Sequence, residues 1–253
     1  MDIVNKVVIV AGGGSGLGQA TSMDLAERGA KVVIVDLNEQ AVNQVAHAVD
    51  GMAVACDVAD DDASRAAMQR IIDTVGLPAV LVNCAGVAPS ARIISKKGPA
   101  SLSDFERVIR INLLGTFNWL RLAADAMKDN IPDSDGARGV IINTASIAAY
   151  EGQIGQSAYA ASKGGVVSLT LPAARELARY GIRVTAIAPG LFGTAMLESI
   201  DEEIKDRLIA DIPFPHRFGK PTEYSAMVQA IIENPMLNGS VIRLDAALRM
   251  QAQ

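Results

Sequence analysis

The amino-acid sequence predicts an α/β protein, a doubly wound parallel sheet of about seven strands with helices on both faces. Three observations carry that expectation. Short β-branched runs alternate with longer helical patterns along the chain. The runs are apolar almost without interruption, as strands covered on both faces must be. A glycine-rich turn stands directly between the first run and the first helical pattern, at a strand end where such sheets bind ligands.

In order, strands are expected at residues 7–11, 31–36, 52–56, 79–83, 140–144, 183–187 and 241–244. Helices are expected at 16–28, 39–49, 63–74, 102–129, 159–180 and 222–233. Repeated strand–helix–strand order implies parallel neighbours joined by right-handed crossovers. No repeat, linker or composition break divides the chain, so residues 1–253 are expected to form one domain. Pro172 lies inside the 159–180 pattern, where it removes a backbone bond to Ser168 and is expected to kink the helix. Two connections are unusually long, 86–101 after the fourth strand and 190–218 after the sixth. Both follow strand carboxyl ends, and loops of that length are commonly functional. They are the candidate substrate loops.

Half of the 253 residues are hydrophobic, enough for a substantial core, and the net charge of −5 argues against a nucleic-acid-binding surface. No apolar run approaches the roughly 18 residues of a membrane span. The opening MDIVNKVVIV lacks the basic start, apolar core and cleavage site of a secretory leader. Cys56 and Cys84 are too few for a disulfide framework and fit a reducing compartment. His47 and His216 have no ligand-spaced neighbours, so no metal site is expected. A cytoplasmic protein is the expectation, or one of the mitochondrial matrix if the source is eukaryotic.

The turn reads Gly12-Gly13-Gly14-Ser15-Gly16-Leu17-Gly18. Glycines there let the backbone turn tightly and approach a pyrophosphate seated on a helix N-terminus. The strand before it and the helix after it are the context that gives such a motif weight, and they make the sheet Rossmann-type. Asp36 ends the second strand, placed to accept hydrogen bonds from both hydroxyls of an adenosine ribose and to repel a 2′-phosphate. A helix cap is the other reading of Asp36. No Arg or Lys stands in the turn or just after Asp36, so NAD rather than NADP is the expected cofactor.

Farther along, SAYAASKGG places Tyr159 four residues before Lys163 with small residues between them. On a helix the two side chains share a face. A phenol titrates near pH ~10, and a fixed ammonium beside it is expected to lower that value and make Tyr159 a usable acid and base.

The glycine spacing and the Tyr159/Lys163 pair together resemble the short-chain dehydrogenase/reductase family, and the resemblance covers the whole chain. Asn83-Cys84-Ala85-Gly86 is similar to the family's Asn-Asn-Ala-Gly motif, with Cys84 replacing the second Asn. Asn112 matches its helix asparagine, Ser146 lies the usual thirteen residues before Tyr159, and Pro189-Gly190 matches the Pro-Gly after strand six. Ala11 stands where the family has Thr, so a turn hydrogen bond is expected to be lost. Asp245-Ala246 stands where it often has Asp-Gly. The stretches GVIINTAS, APGLFGT and QAIIEN, Glu151-Gly152-Gln153 and Pro213-Phe214-Pro215, with the lengthened 86–101 loop, resemble the type-2 3-hydroxyacyl-CoA dehydrogenase branch.

The resemblance implies hydride exchange between NAD and carbon 3 of an acyl-CoA, with Asn112, Ser146, Tyr159 and Lys163 as the catalytic set. Tyr159 would move the proton, Lys163 would lower the phenol pKa and hold the nicotinamide ribose, Ser146 would bond the substrate oxygen, and Asn112 would hold a water. Gly12, Ser15, Gly16, Leu17, Gly18, Asp36, Asp57, Val58, Asn83, Cys84, Ala85, Gly86, Pro189, Gly190, Phe192 and Thr194 would surround the cofactor. Cys84 reads as a small wall residue rather than a reactive thiol, since no flanking charge lowers its pKa. Gln153 and Gln156 either bond the substrate or sit in a solvated loop. Leu191, Leu197 and Phe214 either cover an acyl chain or belong to the core. Lys96 and Lys97 either meet coenzyme A phosphates or stay in solvent. The branch also implies a homotetramer paired through the long helices, with residues 250–253 meeting a neighbour. A hydroxysteroid dehydrogenase, a 3-oxoacyl-carrier-protein reductase and a dinucleotide-binding assembly scaffold are the alternatives; Asp36 weighs against the NADPH-using reductase.

Overall fold

A computed structural model describes residues 1–194 and 201–252. In chain order the elements begin β1 (Val7–Ala11), α1 (Gly16–Glu27), β2 (Lys31–Asp36), α2 (Glu39–Ala48), β3 (Met52–Ala55), α3 (Asp61–Val75) and β4 (Pro78–Asn83). A small hairpin follows, β5 (Ile94–Ser95) and β6 (Gly98–Pro99), then α4 (Leu102–Ile109), a π-helical turn (Arg110–Leu114) and α5 (Gly115–Met127). The rest are β7 (Gly139–Thr144), α6 (Ser157–Leu177), β8 (Ile182–Pro189), α7 (Glu202–Ala210), α8 (Pro221–Glu233) and β9 (Val241–Leu244). Among the described residues seven parallel strands form one sheet in the order β3-β2-β1-β4-β7-β8-β9.

The period-two alternation of each strand sorts its side chains into two cores. Val7, Ile9 and Ala11 of β1 pack with Met68, Ile71, Trp119, Ala123 and Met127, under α3 and α5. Val8 and Val10 point the other way, to Leu25, Val42, Val45, Val228 and Ile231 of α1, α2 and α8. Helices therefore cover both faces. The chain runs outward from β1 to β3, then returns to lay β4 on the other side of β1. That reversal opens a crevice at the carboxyl ends of β1 and β4, the switch point at which such sheets bind ligands.

Side-chain caps fix several helix starts. The side chains of Asn38, Asp60 and Ser101 accept from the backbone N–H of Ala41, Ala63 and Asp104 at 3.1, 3.0 and 3.3 Å, each satisfying a donor that the first turn leaves open. The Asp60 cap starts α3 two residues before the expected 63. The expected single helix over 102–129 is instead α4 and α5 joined by the π-helical turn. α6 runs on through Pro172; Pro172 and Ser168 both lie on its exposed side, where the carbonyl released by the missing N–H meets water. The 86–101 connection folds into the β5–β6 hairpin with exposed Lys96 and Lys97 at its tip, and the 190–218 connection carries α7.

Candidate active site

The glycine turn forms because no other residue fits it. Gly12 has φ +78°, and a Cβ there would lie 2.4 Å from the Ala85 backbone nitrogen; one on Gly18 would lie 2.1 Å from the Gly12 carbonyl oxygen. The backbone N–H groups of Gly12 and Gly13 donate to the Val35 carbonyl at 2.7 and 3.1 Å, and Gly14 N–H donates to Asp36 Oδ2 at 3.1 Å. These bonds pin the turn although Ala11 supplies none from its side chain. Ser15 precedes α1 without a side-chain cap, and no acid occupies the first turn, so that helix end is free to face an anion. Asn38, not Asp36, caps α2, while Asp36 borders the crevice.

The crevice has a volume of about 930 Å³. Gly12, Ser15, Gly16, Leu17, Gly18, Asp36, Asp57, Val58, Cys84, Ala85 and Gly86 line it. Ser146, Gln156, Tyr159, Lys163, Pro189, Gly190, Leu191, Phe192 and Thr194 line it as well. Lys163 is the one cation among these described lining residues. The shape suits a dinucleotide laid across the strand ends: glycine cradle at the pyrophosphate, Asp36 at a ribose, Tyr159 and Lys163 at the reacting end.

Ser146 lies just past β7, with its hydroxyl accepting from Ala148 N–H at 3.1 Å. Tyr159 and Lys163 stand one turn apart on α6. The Lys163 ammonium donates to the Thr144 carbonyl at 2.6 Å and lies 5.9 Å from the centroid of the Tyr159 ring. Burial pushes its pKa down to about 8, because a charge shielded from water is less stable. Burial pushes the Tyr159 phenol above its ordinary value, with the hydrogen bond from Ser146 opposing it. This corrects the expectation that Lys163 lowers the phenol: in the protein alone, desolvation outweighs an ammonium that is turned to Thr144. Burial likewise raises the Cys84 thiol, as suits a wall residue.

Four expected site residues lie off the crevice wall. Asn83 is buried, its amide donating to Asn143 Oδ1 at 2.9 Å and to Thr116 O at 3.4 Å; it ties β4 to β7 and α5. Asn112 is buried with its amide filled: Oδ1 accepts from Val87 N–H at 2.8 Å, and Nδ2 donates to Val87 O and Ser162 Oγ at 2.9 and 3.0 Å. It holds the start of the 86–101 loop against α6, next to Lys163. Gln153 donates to the Gln251 carbonyl at 3.2 Å. Phe214 is 78% exposed, turned outward, so it covers neither core nor crevice. Leu197 lies outside the described residues.

Three contributors were not expected. Thr144 presents its carbonyl to Lys163, and its hydroxyl meets Asn83 O at 2.6 Å and the Tyr224 hydroxyl at 2.7 Å. Fully buried Tyr224 also stacks edge-on against Phe192, centroids 6.5 Å apart. Met250, expected to face a neighbouring subunit, borders the crevice of its own chain. Thr144 sits two residues before Ser146 and so carried a signal by position; Tyr224 and Met250 carried none. Among the described residues no group of three His, Cys, Asp or Glu side chains could hold a metal ion, and no helix is long and apolar enough to cross a membrane.

The profile of the short chain dehydrogenase family matches residues 6–205. The chain is 50% identical over 252 residues to 3-hydroxyacyl-CoA dehydrogenase type-2 of Drosophila melanogaster, covering 98% of this chain and 99% of that one. It is 50% identical over 249 residues to the Homo sapiens protein of the same name, covering 97% and 95%. The crystal structure of 3-hydroxyacyl-CoA dehydrogenase type-2 from Mycobacterium avium superposes with a TM-score of 0.93 at 38% identity, over 98% of this chain and 97% of that one.

Proposed function

The chain belongs to the short chain dehydrogenase family, an oxidoreductase acting on CH–OH with a nicotinamide dinucleotide, and from that premise we propose that it interconverts 3-hydroxyacyl-CoA and 3-oxoacyl-CoA using NAD. One observation carries the reading: the glycine cradle with Asp36 and the Ser146/Tyr159/Lys163 group line a single crevice. The relatives' names supply the substrate class. Among the described lining residues no Arg or Lys stands beside Asp36, which supports NAD over NADP, since a 2′-phosphate there would meet a carboxylate and no cation.

The bound dinucleotide supplies the hydride acceptor or donor. Tyr159 takes the proton of the 3-hydroxyl as hydride leaves carbon 3, and returns it when the ketone is reduced. Ser146 donates to the substrate oxygen where negative charge builds. Lys163, held by Thr144, reaches the ribose hydroxyls, while Gln156 and Leu191 face the substrate. Asn112 positions the 86–101 loop and α6. The working unit in this proposal is a single-domain subunit of a homotetramer; Leu102, Phe105, Leu114 and Phe117 leave apolar side chains exposed on α4, α5 and the turn between them, as a helix-paired interface would require. Free cysteines fit the cytoplasm or a mitochondrial matrix.

Acetoacetyl-CoA reduction followed in parallel with NADH and NADPH tests the proposal. Turnover with NADH alone is expected; turnover only with NADPH defeats the Asp36 reading, and silence with both defeats the substrate. Tyr159→Phe should lower kcat by about 10²-fold or more with an unchanged melting profile. Because burial raises the Tyr159 pKa, alcohol oxidation, which needs the phenolate, should climb roughly tenfold per pH unit through neutrality. Ketone reduction, which needs the phenol, should stay flat over the same range.

A further inference from the structure

We propose that Met250 determines acyl-group specificity, and that the ion cluster of Glu151, Arg243 and Asp245 positions it. The inference rests on the crevice being a 3-hydroxyacyl-CoA site. Apart from the two main cores, buried Ile147, Ile212 and Leu248 form a small apolar cluster against which Leu191, Phe218 and Met250 pack. Ile147, Leu191 and Met250 reach the crevice wall on the side of Ser146. The carbon chain of a substrate whose oxygen lies at Ser146 and Tyr159 has this apolar surface beside it, and apolar walls are what an acyl chain needs.

Met250 is not loosely placed. Its backbone N–H donates to Glu151 Oε2 at 3.2 Å. Just beyond it, Gln153 Nε2 donates to the Gln251 carbonyl at 3.2 Å and Ile154 N–H to the Ala252 carbonyl at 3.0 Å. The tail thereby runs along the loop that joins Ser146 to Tyr159. Arg243 fixes both: it grips the Glu151 carboxylate with two bonds of 2.8 and 3.1 Å, Asp245 Oδ2 at 2.6 Å and the Leu248 carbonyl at 3.1 Å. Arg249 approaches Glu151 and Asp245, each at 3.3 Å. Two cations thus face two carboxylates, and the Asp245 side chain is only 8% exposed. Removing one partner leaves partly buried charge uncompensated, so the cluster holds one geometry. Methionine, unbranched and polarisable, makes a wall that fits chains of more than one shape.

The test compares kcat/KM for acetoacetyl-CoA and 3-oxooctanoyl-CoA, with NADH, in the full chain and its variants. Met250→Ala should raise the long-to-short ratio about tenfold, and Met250→Phe should lower it similarly, the size expected when a pocket gains or loses a few carbons. Glu151→Gln should shift the ratio in the direction of Met250→Ala, speed amide hydrogen exchange over residues 248–252, and leave the Kd for NADH unchanged. Acetoacetyl-CoA turnover with the same ratio in wild type, Met250→Ala and Met250→Phe overturns the inference while the proposed function stands. A wild type that reduces neither thioester overturns both.

Discussion

At Lys163, function and stability pull in opposite directions. The residue is 4% exposed, and burial brings its pKa to about 8 from an ordinary 10.5, a cost of about 3 kcal/mol at neutral pH. The unfolded chain holds that proton more tightly, so this cost is complete below pH 8 and is relieved as pH rises from about 8 to 10.5. Lys163→Met should therefore abolish turnover yet raise the melting temperature at pH 7. The gain in denaturation free energy should shrink as pH passes 8 toward 10.5. A variant less stable than wild type at pH 7 would mean the Thr144 bond outweighs the desolvation. Ala246 is a second strained residue: it has φ +52° and Ala247 has φ +62°, in the left-handed region where a Cβ is disfavoured. Ala246 stands where the resemblance to the family leads one to expect glycine, the residue that this backbone conformation favours. Ala246→Gly should stabilise the protein by about 0.5–1 kcal/mol in urea denaturation, the relief of strain being partly offset by glycine's freedom when unfolded. Of the site residues, those named by a short motif at a strand or helix end were legible in the sequence, because the motif fixes chemistry and position together. Asn83 and Asn112 kept their positions but spend their amides on partners distant in sequence, which no local pattern announces.

Elements were legible wherever a local rule sets their limits. β1, β2 and β9 match their expected ranges because glycine, aspartate or a polar turn closes each apolar run. The glycine turn is stricter still: the 2.1 Å approach at Gly18 is to backbone, so no rotamer relieves it. Gly18→Ala should cost about 2 kcal/mol or more in thermal unfolding and weaken NADH binding at least tenfold in a fluorescence titration; unchanged binding would separate the turn from the cofactor. The π-helical turn at Arg110–Leu114 was illegible, because inserting one residue into a helix changes no residue type. It marks the position of Asn112, as π turns often mark functional positions. α7 did carry a signal, acids at its start and Arg207 in its last turn, but the length of the connection favoured a loop. The β5–β6 hairpin has two residues in each strand, too short for periodicity to register.

For the molecule as a whole, topology was legible because βαβ handedness leaves few arrangements, whereas the association of subunits depends on surface shape. The exposed Phe105 and Phe117 belong to that scale. Sedimentation should give a mass four times the 26.5 kDa subunit, and Phe105→Arg with Phe117→Arg should yield smaller species that melt at lower temperature. An unchanged mass would move the interface elsewhere. The strand order also divides the crevice between distant parts of the gene. Asp36 and the glycine cradle precede the β5–β6 hairpin, and Ser146, Tyr159, Lys163 and Met250 all follow it, with Thr194 of the second part packed at Gly16. The two parts join along β4 and β7 by backbone pairing and where side chains of α8 pack against α1 and β1. Recombination between relatives at the exposed Lys96-Lys97 tip would thus exchange nucleotide preference and acyl preference separately wherever the α1–α8 packing matches, with the proton-transfer chemistry travelling in the second part.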